Sequence, residues 1–134
     1  MYIIALTFQY YPKYILFIGI GECEMNVQLS CSSKGELTAL LSGEIDHHTA
    51  RGMRKAIDSE CERMHPTLLR LDFSSVQFAD SSAIGLIMGR YRLMQLLGGY
   101  VKVVGVPKHL KRRIELSGVG ALGVLEFKGK EVQK

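Results

Sequence analysis

From Met25 onward, apolar positions fall into short strand-like runs and longer helical repeats. Val27 to Cys31 alternates apolar and polar residues, Ser32-Ser33-Lys34-Gly35 reads as a turn, and Glu36 to Ser42 reads as the second arm of a hairpin. Gly43-Glu44-Ile45-Asp46 ends that arm. A helix follows, with Ala50, Met53, Ile57, Cys61 and Met64 on its inner face; Arg51, Arg54, Lys55, Asp58, Glu60 and Glu62 fall largely on the other. Either Asp46 or Thr49 can cap its start, and Pro66 lies just beyond its end. Leu68 to Phe73 is a short apolar run that suits a buried strand, followed by a serine-containing loop. Ile84, Ile87, Met88, Tyr91 and Met94 then recur at helical spacing and predict a helix from about Ser82 to Leu97, stopped by Gly98-Gly99. Tyr100 to Val106 is the next strand. Pro107 opens a helix with Leu110, Ile114 and Leu116 inside, Ser117-Gly118 breaks it, and Leu122 to Phe127 supplies a last strand.

The order β-β-α-β-α-β-α-β implies a small α/β domain whose mixed sheet is flanked by helices. Strands joined through helices run parallel with right-handed crossovers, and the first hairpin adds an antiparallel part. A chain of 134 residues fits one such domain, drawn here as 25–127, with a real core and a fraying charged tail over 128–134. Residues 1–24 stand apart: they are rich in Tyr, Ile, Leu and Phe around Pro12-Lys13, and their apolar stretches are too short to span a bilayer as separate helices. They lack the charged start and cleavage site of a signal peptide. A start codon read too early, with Met25 as the true beginning, a membrane-seeking segment and an added hairpin or surface-packed segment all remain open for this leader.

Composition changes the picture little. Hydrophobic residues at 47% and charged residues at 22% describe a globular chain, which excludes a disordered one. Seventeen basic against thirteen acidic residues leave +4, a weak and scattered signal for nucleic acid and a weaker one for a membrane surface. Arg51, Arg54 and Lys55, then Arg90 and Arg92, then Lys108, Lys111, Arg112 and Arg113 each read as a solvated helix face. Cys23, Cys31 and Cys61 lack metal-ligand or redox spacing, so reduced thiols in the cytoplasm are expected.

Candidate chemistry centres on Asp80, Ser81 and Ser82, where a strand and a short loop deliver the chain into a helix. Asp and Ser are favoured there simply because their oxygens accept the unpaired N–H groups of the first turn. No Gly-x-Ser-x-Gly elbow surrounds either serine, and His47, His48, His65 and His109 carry no motif context for a base. His47-His48 is a tempting metal pair, but adjacent side chains diverge at a helix start and no third ligand is marked. No phosphate-cradling Gly-x-x-x-x-Gly-Lys stretch appears, so nucleotide hydrolysis is not expected. With these motifs missing together, no catalytic residue, metal or cofactor is expected.

Three segments, in order, carry a resemblance. Leu71-Asp72-Phe73 through Phe78-Ala79-Asp80-Ser81-Ser82-Ala83-Ile84-Gly85 and Met88-Gly89-Arg90-Tyr91, preceded by Gly43-Glu44-Ile45-Asp46-His47-His48-Thr49-Ala50 and followed by Leu116-Ser117-Gly118, resemble STAS-domain anti-sigma factor antagonists. The segments closely resemble the sporulation type of endospore-forming bacteria, and the likeness covers roughly Met25 to Phe127. It implies a cytoplasmic partner-switching module, not an enzyme. Unphosphorylated, such a protein binds an anti-sigma factor that is also a serine kinase and so releases a sigma factor. The kinase uses ATP to phosphorylate the serine that corresponds to Ser81, and a serine phosphatase reverses the mark.

The resemblance also implies a docking surface of Gly43, Glu44, Asp46, His47, His48, Thr49, Asp80, Ser81, Ser82, Ala83, Ile84 and Gly85. It implies no direct nucleic-acid contact, and no membrane contact unless residues 1–24 anchor the chain. Many relatives carry glycine where this chain has Ala83, which favours the helix but fills space a partner can use. A STAS module of another stress-signalling assembly, or a small hydrolase using Ser81 with a histidine, are the alternative functions.

Overall fold

The computed structural model describes residues 2–7, 14–19 and 26–125. Strands β1 (Tyr2–Thr7), β2 (Tyr14–Gly19), β3 (Val27–Cys31), β4 (Glu36–Ile45), β5 (Leu68–Ala79) and β6 (Tyr100–Val104) lie side by side in that order in one sheet. Neighbours from β1 to β4 pair antiparallel, whereas β4–β5 and β5–β6 pair parallel. The two parallel pairs are joined through helices α1 (His47–Met64) and α2 (Ser82–Leu97), and α3 (Lys108–Leu116) follows β6. From β3 onward the order is the expected α/β one. β2 pairs with β3, so the sheet extends into residues before Met25. Pro12-Lys13, Cys23 and the tail 128–134 lie outside the described residues.

Alternation sends Val27 and Leu29 of β3, Leu37, Ala39 and Leu41 of β4, Leu69, Leu71 and Phe73 of β5, and Val101 and Val103 of β6 to one face. There they meet Met53, Ile57 and Cys61 of α1 and Leu86, Ile87 and Met94 of α2 in one core. The start of α1 combines the two candidate caps: Asp46 accepts from the Thr49 N–H, and the Thr49 hydroxyl accepts from the Asp46 N–H, both at 2.9 Å. Its end is set by His65, a non-glycine residue at φ 48°, whose N–H bonds Cys61 O at 2.8 Å just before Pro66.

Several expectations need correction. β4 does not end at Ser42; it runs to Ile45, because Gly43 at φ 76° absorbs a register shift and lets pairing resume. β5 likewise does not become a loop after Phe73. The polar stretch Ser74–Gln77 hides a strand that pairs Ser75, Val76, Phe78 and Ala79 with the end of β4. Tyr100 to Val106 is shorter as a strand, ending at Val104.

Helix α2 buries Ala83, Leu86, Ile87, Arg90 and Met94, leaving Met88 exposed. Of the expected inner face, Ile87 and Met94 are buried and Ile84 and Tyr91 pack against the core, so only Met88 falls outside it; Ala83, Leu86 and Arg90 complete the buried side. Leu116 is 74% exposed, not inward. The final strand is reduced, among the described residues, to one parallel bridge between Val103 and Leu125. Leu122 closes a 3-10 turn (Val119–Leu122), and Phe127 lies outside the described residues.

Gly105 ends β6 at φ 68°, and a Cβ there would stand 2.7 Å from Asp72 Oδ1 and 3.2 Å from Ser74 N. Gly118 has a similar positive φ with nothing within 4 Å. Gly105→Ala should therefore cost roughly 2–3 kcal/mol, from left-handed backbone strain plus overpacking, and Gly118→Ala only the ~1–2 kcal/mol of strain. Paired denaturant titrations measure the difference; equal losses would remove the steric role of Gly105.

Candidate functional site

Two strand-to-helix turns meet where β4 and β5 end. Ile45 and Ala79 are register partners, and the Asp80 N–H donates to Ile45 O at 3.0 Å, so Asp46 and Asp80 open adjacent turns. All the residues singled out in Gly43–Thr49 and Asp80–Gly85 are thereby brought into one neighbourhood. Glu44, His47, His48, Ser81 and Gly85 are exposed, and Asp46, Thr49, Asp80, Ser82 and Ile84 are half-buried. Gly43 serves the backbone register. Ala83 is buried in the core, so its methyl group does not occupy surface that a partner can use.

The aspartates do the capping. Asp46 Oδ1 accepts from the N–H groups of His48 and Thr49, each at 2.9 Å. The Thr49 N–H holds the Asp46 carboxyl below its usual range; desolvation opposes it, and the His48 N–H adds a smaller lowering. Asp80 Oδ1 accepts from the Ser82 N–H at 2.7 Å, and its carbonyl takes the Ala83 N–H at 3.0 Å. Ser82 is the first residue of α2, where the sequence predicts the helix to start, and its N–H is capped by Asp80. Ser81 occupies the N-cap position in helical conformation without a side-chain cap. Among the described residues its hydroxyl is uncommitted, and no histidine hydrogen-bonds to either serine.

Behind the turns, α1 and α2 are coupled by a charge pair that the sequence reading placed in solvent. Arg90 is 5% exposed. Its Nη2 donates to Asp58 Oδ2 at 3.2 Å, and Nε stands 2.7 Å from Oδ1, an ion contact whose angle falls short of a hydrogen bond. Burial pushes the Asp58 carboxyl up and the Arg90 guanidinium down, and the partner's charge only partly offsets each. Glu60, also assigned to the outer face, is buried and pairs with Arg63. The missed signal was Arg90 itself, in helical register with Ile87 and Met94.

Other contributors were missed as well. Arg113 donates to Ala79 O at 2.7 Å and His109 lies 2.9 Å from Gln77 O, so α3 braces the end of β5. Phe78, half-exposed beside the serine turn, and Met88 on α2 add apolar surface. A cleft of about 430 Å³ runs between the starts of α1 and α2, lined by His47, Arg51, Arg54, Ser82, Gly85 and Arg90 among others.

An α/β sheet with adjacent acidic-capped turns, and a free serine at one of them, is a binding scaffold of the STAS type. The STAS domain model matches residues 33–128, and the chain belongs to that family, among the anti-sigma factor antagonists. It is 36% identical over 96 residues to the anti-sigma F factor antagonist of Paenibacillus polymyxa, covering 71% of this chain and 82% of that one. Its fold matches that of the anti-sigma factor antagonist SpoIIAA in its unphosphorylated form, with TM-score 0.68 and 25% identity over 78% of this chain and 90% of that one. The phosphorylated form of the Bacillus cell fate determinant SpoIIAA matches with TM-score 0.62 and 25% identity, over 78% and 93% of the two chains. Among the described residues, no helix is long and apolar enough to cross a membrane.

The helix seam makes two checkable statements. Asp58→Ala should cost roughly 2–3 kcal/mol by stranding Arg90, below the full cost for a buried pair because Asp58 keeps 29% of its side chain in water. Asp58→Leu combined with Arg90→Met should recover much of that loss in a denaturant double-mutant cycle. Burial also pushes the nearby Cys61 thiol from 9.0 up to about 12. The folded state therefore holds this proton more tightly than the unfolded chain. The associated stability is present below pH 9.0 and falls as pH rises towards about 12. Denaturation midpoints across that range should drop for the wild type and less steeply for Cys61→Ala.

Proposed function

We propose that this chain is a phosphorylation-controlled anti-sigma factor antagonist. In the unphosphorylated state it binds an anti-sigma factor that is also a serine kinase and frees the sigma factor. ATP-dependent phosphorylation of Ser81 ends that binding, and a serine phosphatase restores it. The observation that carries the reading is the state of Ser81: exposed, with no cap bond to lose, at the centre of the two joined turns. The family membership and the likeness to both forms of SpoIIAA support it. The docking surface comprises Glu44, Asp46, His47, His48 and Thr49 on one turn and Asp80 to Gly85 on the other, with Gly43 holding the backbone beneath. The protein works in the cytoplasm, and ATP belongs to the kinase.

Phosphorylation acts by charge and bulk. A phosphoserine adds about −1.5 to −2 charges and strong acceptor oxygens. Within the domain, the Asp80 carboxylate repels it and the start of α2 attracts it. At a packed interface, no such balance is available, and burying an unpaired charge is costly.

Mass spectrometry after treatment with the anti-sigma kinase should place phosphate on Ser81 and leave Ser82 unmodified; phosphate on Ser82 would sink the assignment. Ser81→Ala should bind the kinase and escape inactivation. Ser81→Asp should weaken binding about tenfold or more, with circular dichroism and the denaturation midpoint nearly unchanged. Large shifts in NMR signals far from residues 43–49 and 78–90 would argue for a refolding switch instead.

A further inference from the structure

The cleft between α1 and α2 has a chemistry of its own. Arg51 and Arg54 stand exposed on its α1 side, and among the described residues neither lies within ion-pair distance of an acidic group. Arg90 closes the inner end with its charge matched by Asp58. Ala50, Gly85 and Leu86 complete the lining without adding charge. Two guanidinium groups, beside His47, thus face one concave space without an ion pair of their own: Asp58 acts on Arg54 through space, but its contact is made with Arg90.

We propose that this cleft seats an aspartate or glutamate side chain of the protein partner, held by Arg51 and Arg54. The inference rests on the partner-binding reading above and adds the chemistry by which the partner is recognised. Arginine forks match a carboxylate in bidentate geometry. The surroundings favour a carboxylate over a phosphate. Phosphate sites at helix starts rely on free backbone N–H groups. Here Asp46 takes those of His48 and Thr49, and those of Ser82, Ala83, Ile84 and Gly85 are bonded to Asp80 and Ser81. The capping carboxylates of Asp46 and Asp80, at the two adjoining turns, oppose a multiply charged anion more than a single carboxylate.

The first test needs no kinase. Titrating the full chain with hexaglutamate should shift the amide NMR signals of His47, Ala50, Arg51, Arg54 and Gly85. Those shifts should shrink with added salt and vanish in the Arg51→Ser/Arg54→Ser variant, whose exposed positions leave folding intact. Inorganic phosphate at matched ionic strength should leave these signals in place. Absence of hexaglutamate shifts, their survival in the double variant, or equal shifts with phosphate would each overturn the proposal.

The second test uses the anti-sigma kinase. Arg51→Glu with Arg54→Glu should lower its affinity about tenfold or more, and unchanged affinity would overturn the assignment. Failure of the wild-type chain to bind the kinase would instead sink the functional reading, and the hexaglutamate titration would still decide the cleft.

Discussion

The parallel pairing of the ends of β4 and β5 is the constraint on which the site depends. Ile45 opposite Ala79, tied by the Asp80 N–H to Ile45 O, forces two turns distant in sequence to leave the sheet as neighbours. Everything at the surface follows from that registration. The turns can be adjacent only because Gly43, at positive φ, lets β4 shift register and continue. Arg113 and His109 of α3 hold the other side of the β5 end. Glycine and α3 thus act on the site without belonging to its exposed face.

The helices that start at these turns are held apart and together by different means. Apolar packing of Met53, Ile57 and Cys61 against the sheet fixes α1, while Leu86, Ile87 and Met94 fix α2. Where the helices face each other, the Asp58–Arg90 pair replaces part of that apolar seam. A buried ion pair is a weak source of net stability, because desolvation offsets much of its attraction. Its geometric demand is stricter than that of interchangeable aliphatic groups, and Arg90 itself lines the cleft between the two helices.

Much of the fold was legible because its signals are local. The alternation in Val27–Cys31, the helical repeat after Asp46, the Gly98-Gly99 stop and the caps all act over a few residues. What escaped needed long-range information. Ser74–Gln77 has Val76 as its one apolar residue, too little for a strand signal, and it becomes strand where β4 offers it a ladder and the core takes Val76. Arg90 reads as solvated until Asp58, on another helix, is placed beside it. The candidate residues of the two turns were recognisable from the motif segments, but Arg51 and Arg54 were not. They line a cleft that exists only once α1 and α2 are packed.

These features bear on how a modification at Ser81 can be read without rebuilding the domain. A cap serine that gave its hydroxyl to the helix start would lose that bond on phosphorylation, and the helix would feel it. Here Asp80 supplies the cap and Ser81 contributes only backbone, its carbonyl accepting from Ile84 and Gly85. The hydroxyl is therefore free of folding duties. Beneath it, Ala83 and Ile87 anchor the first turns of α2 in the core. Under the proposed function, this division of labour confines the chemical change to the docking surface: the carboxylates keep the helices, and the serine is left to the partner.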